Sequence, residues 1–302
     1  MGSADSVTWL QKLSEQLNID VDWMDPSYTL SLPIVPHDMT SNQGWVHEQM
    51  CNPINDELFK SVVKEYKDQG WLAIYTRMAV LMSKANIDNI QGRVLLQTLP
   101  SNAYDTEKTL EHARAYAREF ESVGVSKDRF CIKIPSTGPA LNACPILLQE
   151  GIRTLGTALF SVHQAIAASQ AGCLYISPYY NGDREGAAFR EERKVWSIEK
   201  FAGVFADEGN SALSLLKKRW RQVNWAVIRR QSPTRSSLSW LNFLMMELSR
   251  TDIDYLANGG AELDKANEED PQTKKRLREA LALFVAAEKR SQAKIEEAMK
   301  AV

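Results

Sequence analysis

Eight short runs of apolar or β-branched residues recur along the chain, and helical spacing of apolar residues fills much of the sequence between them. Strands that alternate with helices form a parallel sheet, because each crossover helix returns the chain to the same edge. Eight such strands close a barrel. The sequence therefore predicts an α/β fold, a single (β/α)8 TIM barrel with extra helices. The predicted strands lie at residues 18–23, 32–39, 93–99, 129–135, 153–159, 173–179, 222–228 and 252–257.

The helical patterns add detail to this outline. Residues 55–85 predict two helices without a strand between them, and residues 104–124 predict an amphipathic helix that stops at Gly124. An N-terminal helix is expected over residues 1–17. From Asp270 and Pro271, a predicted N-cap and first helical residue, one amphipathic helix runs over 271–302, either sealing the barrel or docking on a second subunit. With no internal repeat or linker, residues 1–302 are predicted to form one domain.

Composition narrows the class of partner. Lys plus Arg (36) nearly balances Asp plus Glu (38), so no overall field favours nucleic acid or an anionic membrane. No apolar run approaches the roughly 20 residues that span a bilayer, and no signal-peptide layout opens the sequence. A cytoplasmic protein that acts on a small molecule is the expectation.

Cysteine, histidine and tryptophan do not suggest a cofactor. The four cysteines are scattered and are interpreted as reduced core thiols, and the four histidines lack metal-ligand spacing. We therefore expect neither a metal nor a cofactor. Four tryptophans are assigned to the core or to an interface: Trp9, Trp45, Trp71 and Trp240.

Lys133 stands out because it lies in an apolar run between Ile132 and Ile134. An ammonium group is rarely buried without a partner. One interpretation is a strand-end lysine whose head reaches solvent. The other is a desolvated amine, whose lowered pKa provides the neutral nucleophile that a Schiff base requires.

Further polar residues occupy late positions on other predicted strands, or follow them directly. Because active sites of such barrels lie at the carboxyl ends of the strands, these side chains are expected to converge on one mouth. Each alone is also explained as a cap or turn residue. They are Asp22, Asn42, Gln97, Thr157 and Tyr179.

Three segments resemble the transaldolase family. The longest is CIKIPSTGPALNACPILLQEGIRTLGTALFSVHQAIAASQAGCLYISPYYN at 131–181, joined by DMTSNQ at 38–43 and YDTE at 104–107. The resemblance covers most of the chain from about residue 20 onward. It implies that Lys133 is the Schiff-base lysine, which attacks the C2 carbonyl of a ketose donor.

The same resemblance implies roles for other residues. Asp22, in an Asp-x-x-Asp pattern, matches the carboxylate that shuttles protons during C3–C4 cleavage, and Asp20 is the alternative. Asn42 matches the asparagine that holds donor hydroxyls, and Thr40 is grouped with it as substrate-binding. In the second half of the signature, Thr157 matches the threonine that helps to hold the catalytic water, and Ser177 matches a serine lining the donor pocket.

Three positions depart from the pattern of transaldolases. Gln97 stands where a carboxylate usually partners the catalytic water, and Tyr179 replaces a phenylalanine. Both resemble the fructose-6-phosphate aldolase branch, in which the phenol assists acid–base chemistry that a glutamine cannot perform. Gln43 replaces the usual proline after the asparagine.

Arginines near the sixth and seventh strands grip the acceptor phosphate in this family. A guanidinium suits this role because it binds an oxyanion through two parallel hydrogen bonds. Arg229 matches the arginine after the seventh strand, whereas Gly182 stands at the position after the sixth and Arg184, two residues on, is the candidate there. The alternative for Arg184 is that it merely solvates a polar loop.

The expected function is transfer of a three-carbon dihydroxyacetone unit from a ketose or ketose phosphate to an aldehyde. One alternative is a specialised class I aldolase acting on a non-phosphorylated aldehyde in biosynthesis. Another is a barrel that binds sugar phosphate without turnover. A homodimer is the expectation that the resemblance gives.

Overall fold

The computed structural model describes residues 7–179 and 252–301 of the 302-residue chain. Five strands and ten α-helices lie in these ranges, together with four short 3-10 helices. The strands are β1 (Met39–Thr40), β2 (Val94–Gln97), β3 (Phe130–Pro135), β4 (Thr154–Leu159) and β5 (Tyr175–Pro178). The helices are α1 (Trp9–Ser14), α2 (Pro26–Ser31), α3 (Gln43–Cys51), α4 (Asp56–Tyr66), α5 (Trp71–Lys84), α6 (Thr106–Ser122), α7 (Gly138–Gln149), α8 (Val162–Gln170), α9 (Ala257–Glu269) and α10 (Pro271–Lys300).

The fold is α/β, with a parallel sheet whose strands follow chain order, β1-β2-β3-β4-β5. The chain divides into two compact units, and β3 and α10 contribute residues to both. The first unit comprises Met1–Lys133, Leu147–Arg153 and Glu279–Val302. The second comprises Ile134–Ile146 and Thr154–Arg278.

In the first unit, β2 pairs with β3 so that Gln97 is the register partner of Lys133. On its other side β2 pairs with β1, with Thr40 opposite Leu95. The side chains of β2 and the first four residues of β3 are all buried. Such continuous burial is typical of a parallel strand covered on both faces.

In the second unit, β4 pairs in parallel with β5, with an irregularity between Gly156 and Leu159. Gly156 packs tightly, since a Cβ there would meet the Ala168 methyl at 2.9 Å. Helix α7 follows β3, and its first residue, Gly138, donates its N–H to Asp264 of α9 at 2.7 Å. These contacts fix β4 against α8 and α7 against α9.

Four of the predicted strands are confirmed, although with shorter bounds: those at 93–99, 129–135, 153–159 and 173–179. The strand predicted at 32–39 is reduced to Met39–Thr40, because Pro33 and Pro36 interrupt the run before it. The prediction at 222–228 lies outside the described residues.

The predicted strands at 18–23 and 252–257 are wrong. In the first, only Val21 makes an isolated parallel bridge, to Met39. The second is a turn: Asp254 accepts hydrogen bonds from the N–H of Leu256 and, through its carbonyl, of Ala257. An aspartate that satisfies its neighbours' N–H groups in this way favours a turn over a sheet.

The helix predictions hold better. Residues 55–85 contain α4 and α5, and α6 ends just before Gly124, which has φ of 81°. Asp270 does cap α10, accepting from the N–H of Gln272, and the apolar stripe Leu277, Leu281, Phe284 and Ala287 is buried by this chain itself. The N-terminal helix is confined to Trp9–Ser14 within the described part of the predicted range.

The four cysteines were interpreted as core thiols, and none of them forms a disulfide. Three are buried, but Cys51 is exposed, so the interpretation is wrong for Cys51. Each helix within the ranges 7–179 and 252–301 is too short or too polar to cross a lipid bilayer.

Candidate active site

Lys133 is the centre of the candidate site in the first unit. The residue is only 4% exposed. Its Nζ donates hydrogen bonds to Thr40 Oγ1 and to the carbonyl oxygen of Ser41, both at 2.8 Å. Burial lowers the pKa of Lys133 to about 8, although the negative charge of Asp22 opposes the shift. The lysine is therefore desolvated, as a Schiff-base amine needs to be, and does not reach into solvent.

The two hydrogen bonds also orient the amine. A neutral amine carries two N–H bonds and one lone pair. If both N–H bonds point at Thr40 and Ser41, the lone pair points elsewhere and remains available for attack on a carbonyl. Thr40, which the sequence grouped only with substrate binding, thus contacts the Lys133 amine itself.

Asp22 is the carboxylate whose charge acts on Lys133. Its Oδ1 accepts a hydrogen bond from Trp45 Nε1 at 2.9 Å. Trp45 in turn packs edge-on against Trp23, with ring centroids 4.7 Å apart. The sequence assigned Trp45 to the core or an interface; it is instead a half-buried donor to a candidate acid–base group.

Asp20, the alternative proton shuttle, belongs to a different cluster. Its carboxylate accepts from the N–H of Asp38 at 3.0 Å, and the Asp38 carboxylate contacts His37 Nδ1 at 2.9 Å. Burial and the Asp38 charge raise the pKa of Asp20 to about 6. Asp38 also accepts from the N–H of Arg93, directly before β2, so the cluster lies at the amino end of that strand. Lys133 pairs with the carboxyl end, which favours Asp22 as its partner.

The Asp20 cluster also qualifies the expectation about histidine. Ligand atoms of Asp20, His37 and Asp38 all lie within 4.8 Å of one another, a grouping that sequence spacing did not reveal. The hydrogen bonds within the cluster and to the Arg93 N–H account for its geometry without a further ligand.

Gln97 is the neighbour of Lys133 on β2 and is 1% exposed. Within the described part of the chain, neither Oε1 nor Nε2 of its side chain has a hydrogen-bond partner. An unsatisfied buried amide is unfavourable by about 1–3 kcal/mol, so such groups commonly serve a ligand or water. This is the behaviour expected of a group that binds substrate or water.

Asn42 forms the start of α3. Its side-chain oxygen accepts from the N–H groups of Gly44 and Trp45, at 2.8 and 3.2 Å, and so caps the helix. Among residues 7–179 and 252–301, its Nδ2 has no hydrogen-bond partner, so capping by Oδ1 leaves the amide N–H groups available for another contact. The cap interpretation and the binding interpretation are therefore compatible.

Thr157 and Tyr179 meet in the second unit. Thr157 Oγ1 and the Tyr179 hydroxyl lie 3.2 Å apart, and the Tyr179 ring packs edge-on against Phe160. The carbonyl of Thr157 accepts both the N–H and the hydroxyl of Ser136, each at 2.8 Å. Ala158, the next residue, has φ of 50°, a left-handed conformation that is unfavourable for alanine and often marks functional sites.

Three remaining candidates have less structural detail. Ser177 lies half-buried on β5. Arg184 and Arg229 lie outside the described residues, so the phosphate-binding role assigned to them stays a prediction.

The profile of the transaldolase/fructose-6-phosphate aldolase family matches residues 19–222. A transaldolase of Nostoc punctiforme is 40% identical over 192 residues, covering 58% of each chain. A transaldolase of Methylococcus capsulatus is 35% identical over 144 residues, covering 45% of this chain and 44% of the relative.

A third relative gives the same result, a transaldolase of Gloeobacter violaceus that is 34% identical over 153 residues. That match covers 48% of this chain and 39% of the relative. The chain thus spans about half the length of the curated relatives that it matches.

Proposed function

Because the chain belongs to the transaldolase/fructose-6-phosphate aldolase family, we propose that it transfers a dihydroxyacetone unit from a ketose or ketose phosphate to an aldehyde through a Schiff base on Lys133. The proposal includes closure of the sheet into a (β/α)8 barrel, the fold of that family. The observation that carries it is the buried Lys133 amine, whose pKa is lowered to about 8 and whose two hydrogen bonds leave the lone pair free.

The first step is addition of the Lys133 amine to the C2 carbonyl of the donor. The resulting carbinolamine loses its hydroxyl as water and becomes an iminium ion. We assign Thr157 and Tyr179 to this loss of water, in which they hold and protonate the leaving oxygen. Their hydroxyls form a 3.2 Å pair that can both donate and accept a hydrogen bond. The Gln97 amide offers a donor and an acceptor that are not engaged in the described part of the chain.

The second step breaks the C3–C4 bond. Asp22 removes the proton from the C4 hydroxyl, C4 leaves as an aldehyde, and the bonding electron pair moves into the iminium to give an enamine. The acceptor aldehyde then enters: the enamine carbon attacks its carbonyl carbon, and the new alkoxide takes the proton back from Asp22. Hydrolysis of the new iminium returns the amine of Lys133.

Borohydride trapping tests the nucleophile. The protein is incubated with fructose 6-phosphate, reduced with borohydride, digested and mapped by mass spectrometry. We expect a stable three-carbon adduct on the peptide that contains Lys133, and no such adduct in Lys133→Ala. An adduct confined to other lysines, or an equal yield from the variant, would refute the proposal.

A second candidate is a class I aldolase that releases the three-carbon unit. Gln97 in place of a carboxylate, and the Tyr179 hydroxyl beside Thr157 Oγ1, favour it. A coupled assay with fructose 6-phosphate separates the two. Transfer to added erythrose 4-phosphate supports a transaldolase, whereas free dihydroxyacetone without acceptor supports an aldolase. Tight binding of the sugar phosphate with neither product would indicate a barrel without turnover.

A further inference from the structure

Gln43 is a fully buried glutamine at the start of α3, and its side chain bonds to the end of β2. Its Nε2 donates to the carbonyl oxygens of Gln97 and Thr98, at 3.0 and 2.8 Å. A primary amide has two N–H bonds, so a single side chain satisfies both carbonyls. The residue is 0% exposed and contacts no other described polar group through Nε2.

These two Gln43 hydrogen bonds take the place of backbone hydrogen bonds just beyond the point where the pairing of β1 with β2 ends. The last backbone bond that β2 receives on its β1 side is from the N–H of Ser41 to the carbonyl of Leu95, at 3.1 Å. The carbonyls of Gln97 and Thr98 lie beyond it, and among the residues that the structure describes Gln43 is their one donor. On the other side, the N–H of Thr98 donates to the carbonyl of Lys133 at 3.0 Å. Gln43 therefore holds the peptide that follows Gln97 from one side while β3 holds it from the other.

Gln97 depends on this support because no hydrogen bond fixes the direction of its own side chain in the described part of the chain. Neither atom of its amide has a partner there. In the absence of such bonds, the direction of the side chain follows from the backbone that carries it and from packing.

We propose that Gln43 is a positioning residue, which fixes the end of β2 and thereby aims the Gln97 amide at the reacting groups beside Lys133. The catalytic part of this proposal rests on the proposed function. A proline, the residue that the resemblance to the family leads one to expect at this position, has no side-chain donor and could not make these two hydrogen bonds.

Gln43→Met is the informative substitution, since methionine has a similar length and no donor. Gln49→Met is its matched control: Gln49 is also buried on α3, but its side chain contacts Asn55 and not β2. Both variants are compared for stability and for steady-state kinetics.

We expect Gln43→Met to lower kcat by about tenfold to a hundredfold, the size of effect known for a displaced catalytic group. KM should change by less than about threefold, because in this proposal the Gln97 amide orients the catalytic water through hydrogen bonds and does not carry the affinity for the donor. In a Gln97→Met background the same change should have little further effect, since two residues in one pathway are not additive. Full additivity, or an effect no larger than that of Gln49→Met, would overturn the proposal.

A second measurement does not depend on turnover. The side-chain 15N–1H signals of Gln97 are assigned by their loss in Gln97→Met. They should shift or broaden in Gln43→Met and stay unchanged in Gln49→Met. If they are unchanged in Gln43→Met, positioning by Gln43 is refuted whatever the enzyme does. If they move but no Schiff base is trapped in the wild type, positioning stands and the proposed function fails.

Gln43→Asn protects the test against loss of folding. It keeps an amide at the start of α3 but is one methylene shorter. We expect NMR changes and a kcat between those of the wild type and Gln43→Met; wild-type values for both would count against the proposal.

Discussion

At the scale of single residues, Lys133 combines burial with two directed hydrogen bonds. Burial lowers the pKa of Lys133 to about 8. The two acceptors that orient the amine are the Thr40 hydroxyl and the Ser41 carbonyl, and neither is a carboxylate that could form an ion pair with it. A contact with a carboxylate would stabilise the ammonium form and suppress the nucleophile. The charge of Asp22 acts on the amine, yet its Oδ1 is bonded to Trp45.

The lowered pKa of Lys133 predicts the pH dependence of Schiff-base formation. Only the neutral amine attacks, and with a pKa of about 8 its fraction rises by about tenfold per pH unit below that value and levels off above it. Initial rates of trapping by fructose 6-phosphate and cyanoborohydride, measured between pH 6 and pH 9.5, check this. A rate that is flat across pH 6–8, or that still rises about tenfold per pH unit at pH 9.5, would contradict it.

Trp45→Phe tests the link to Asp22. Phenylalanine keeps an aromatic ring against Trp23 but loses the N–H that bonds Asp22 Oδ1. Asp22 is exposed, so water weakens this hydrogen bond to about 0.5–1.5 kcal/mol, and we expect kcat to fall by about twofold to tenfold while borohydride trapping on Lys133 persists. Trp9→Phe is the control, because Trp9 is 81% exposed. Equal kcat for the two variants would show that the indole does not position Asp22.

What the sequence predicts about these residues depends on how local the signal is. Lys133 was identifiable because a charged residue interrupts an apolar run. Asp22 was preferred to Asp20 only through the Asp-x-x-Asp resemblance, since the two lie two residues apart in one segment and only tertiary contacts show that Asp20 bonds to Asp38. Trp45 and Gln43 were missed as positioning groups, because each acts through a hydrogen bond to a residue more than 20 positions away.

At the scale of elements, continuous apolar runs gave reliable strands and alternating ones did not. The run that contains β3 is buried at every position, so no other structure suits it. Residues 252–257 alternate polar and apolar side chains, yet Ile253 is 39% exposed and only Tyr255 is buried. A turn can bury one of two alternating side chains, and Gln170 binds the Tyr255 N–H, so the sheet pattern is not required.

The contact of α7 with α9 gives an element-scale prediction. Gly259 and Gly260 both have positive φ, of 71° and 87°, so alanine is strained at either position. A Cβ on Gly260 would also overlap the backbone of Gly138, whereas one on Gly259 meets nothing within 4 Å. We expect Gly260→Ala to lower the free energy of unfolding by about 1–3 kcal/mol more than Gly259→Ala does. Urea unfolding of both variants measures the difference, and similar values would show that the close backbone contact contributes nothing.

At the scale of the whole molecule, the alternation of strands and helices predicted the α/β class correctly, because that class follows from a pattern over the full length of the chain. The family profile covers residues 19–222 of it.

The candidate site and the stability of the protein oppose each other. Stability, however, is a sum over all groups, and the amine of Lys133 is among those whose charged form is unfavourable in the folded state. Residues placed for chemistry commonly reduce stability in this way.

Lys133→Met makes that opposition measurable. The pKa of Lys133 is about 8 in the folded protein and near 10.5 in the unfolded chain, so between these values the unfolded state binds more protons. The unfolding free energy of the wild type should therefore rise with pH across that window, by about 2 kcal/mol between pH 8 and pH 10 relative to Lys133→Met. Urea unfolding of both proteins at each pH gives the difference, and exposed Lys64→Met controls for loss of a lysine as such. A difference that is constant with pH would mean that the amine is not desolvated in the folded protein, and the Schiff-base proposal would lose its physical basis.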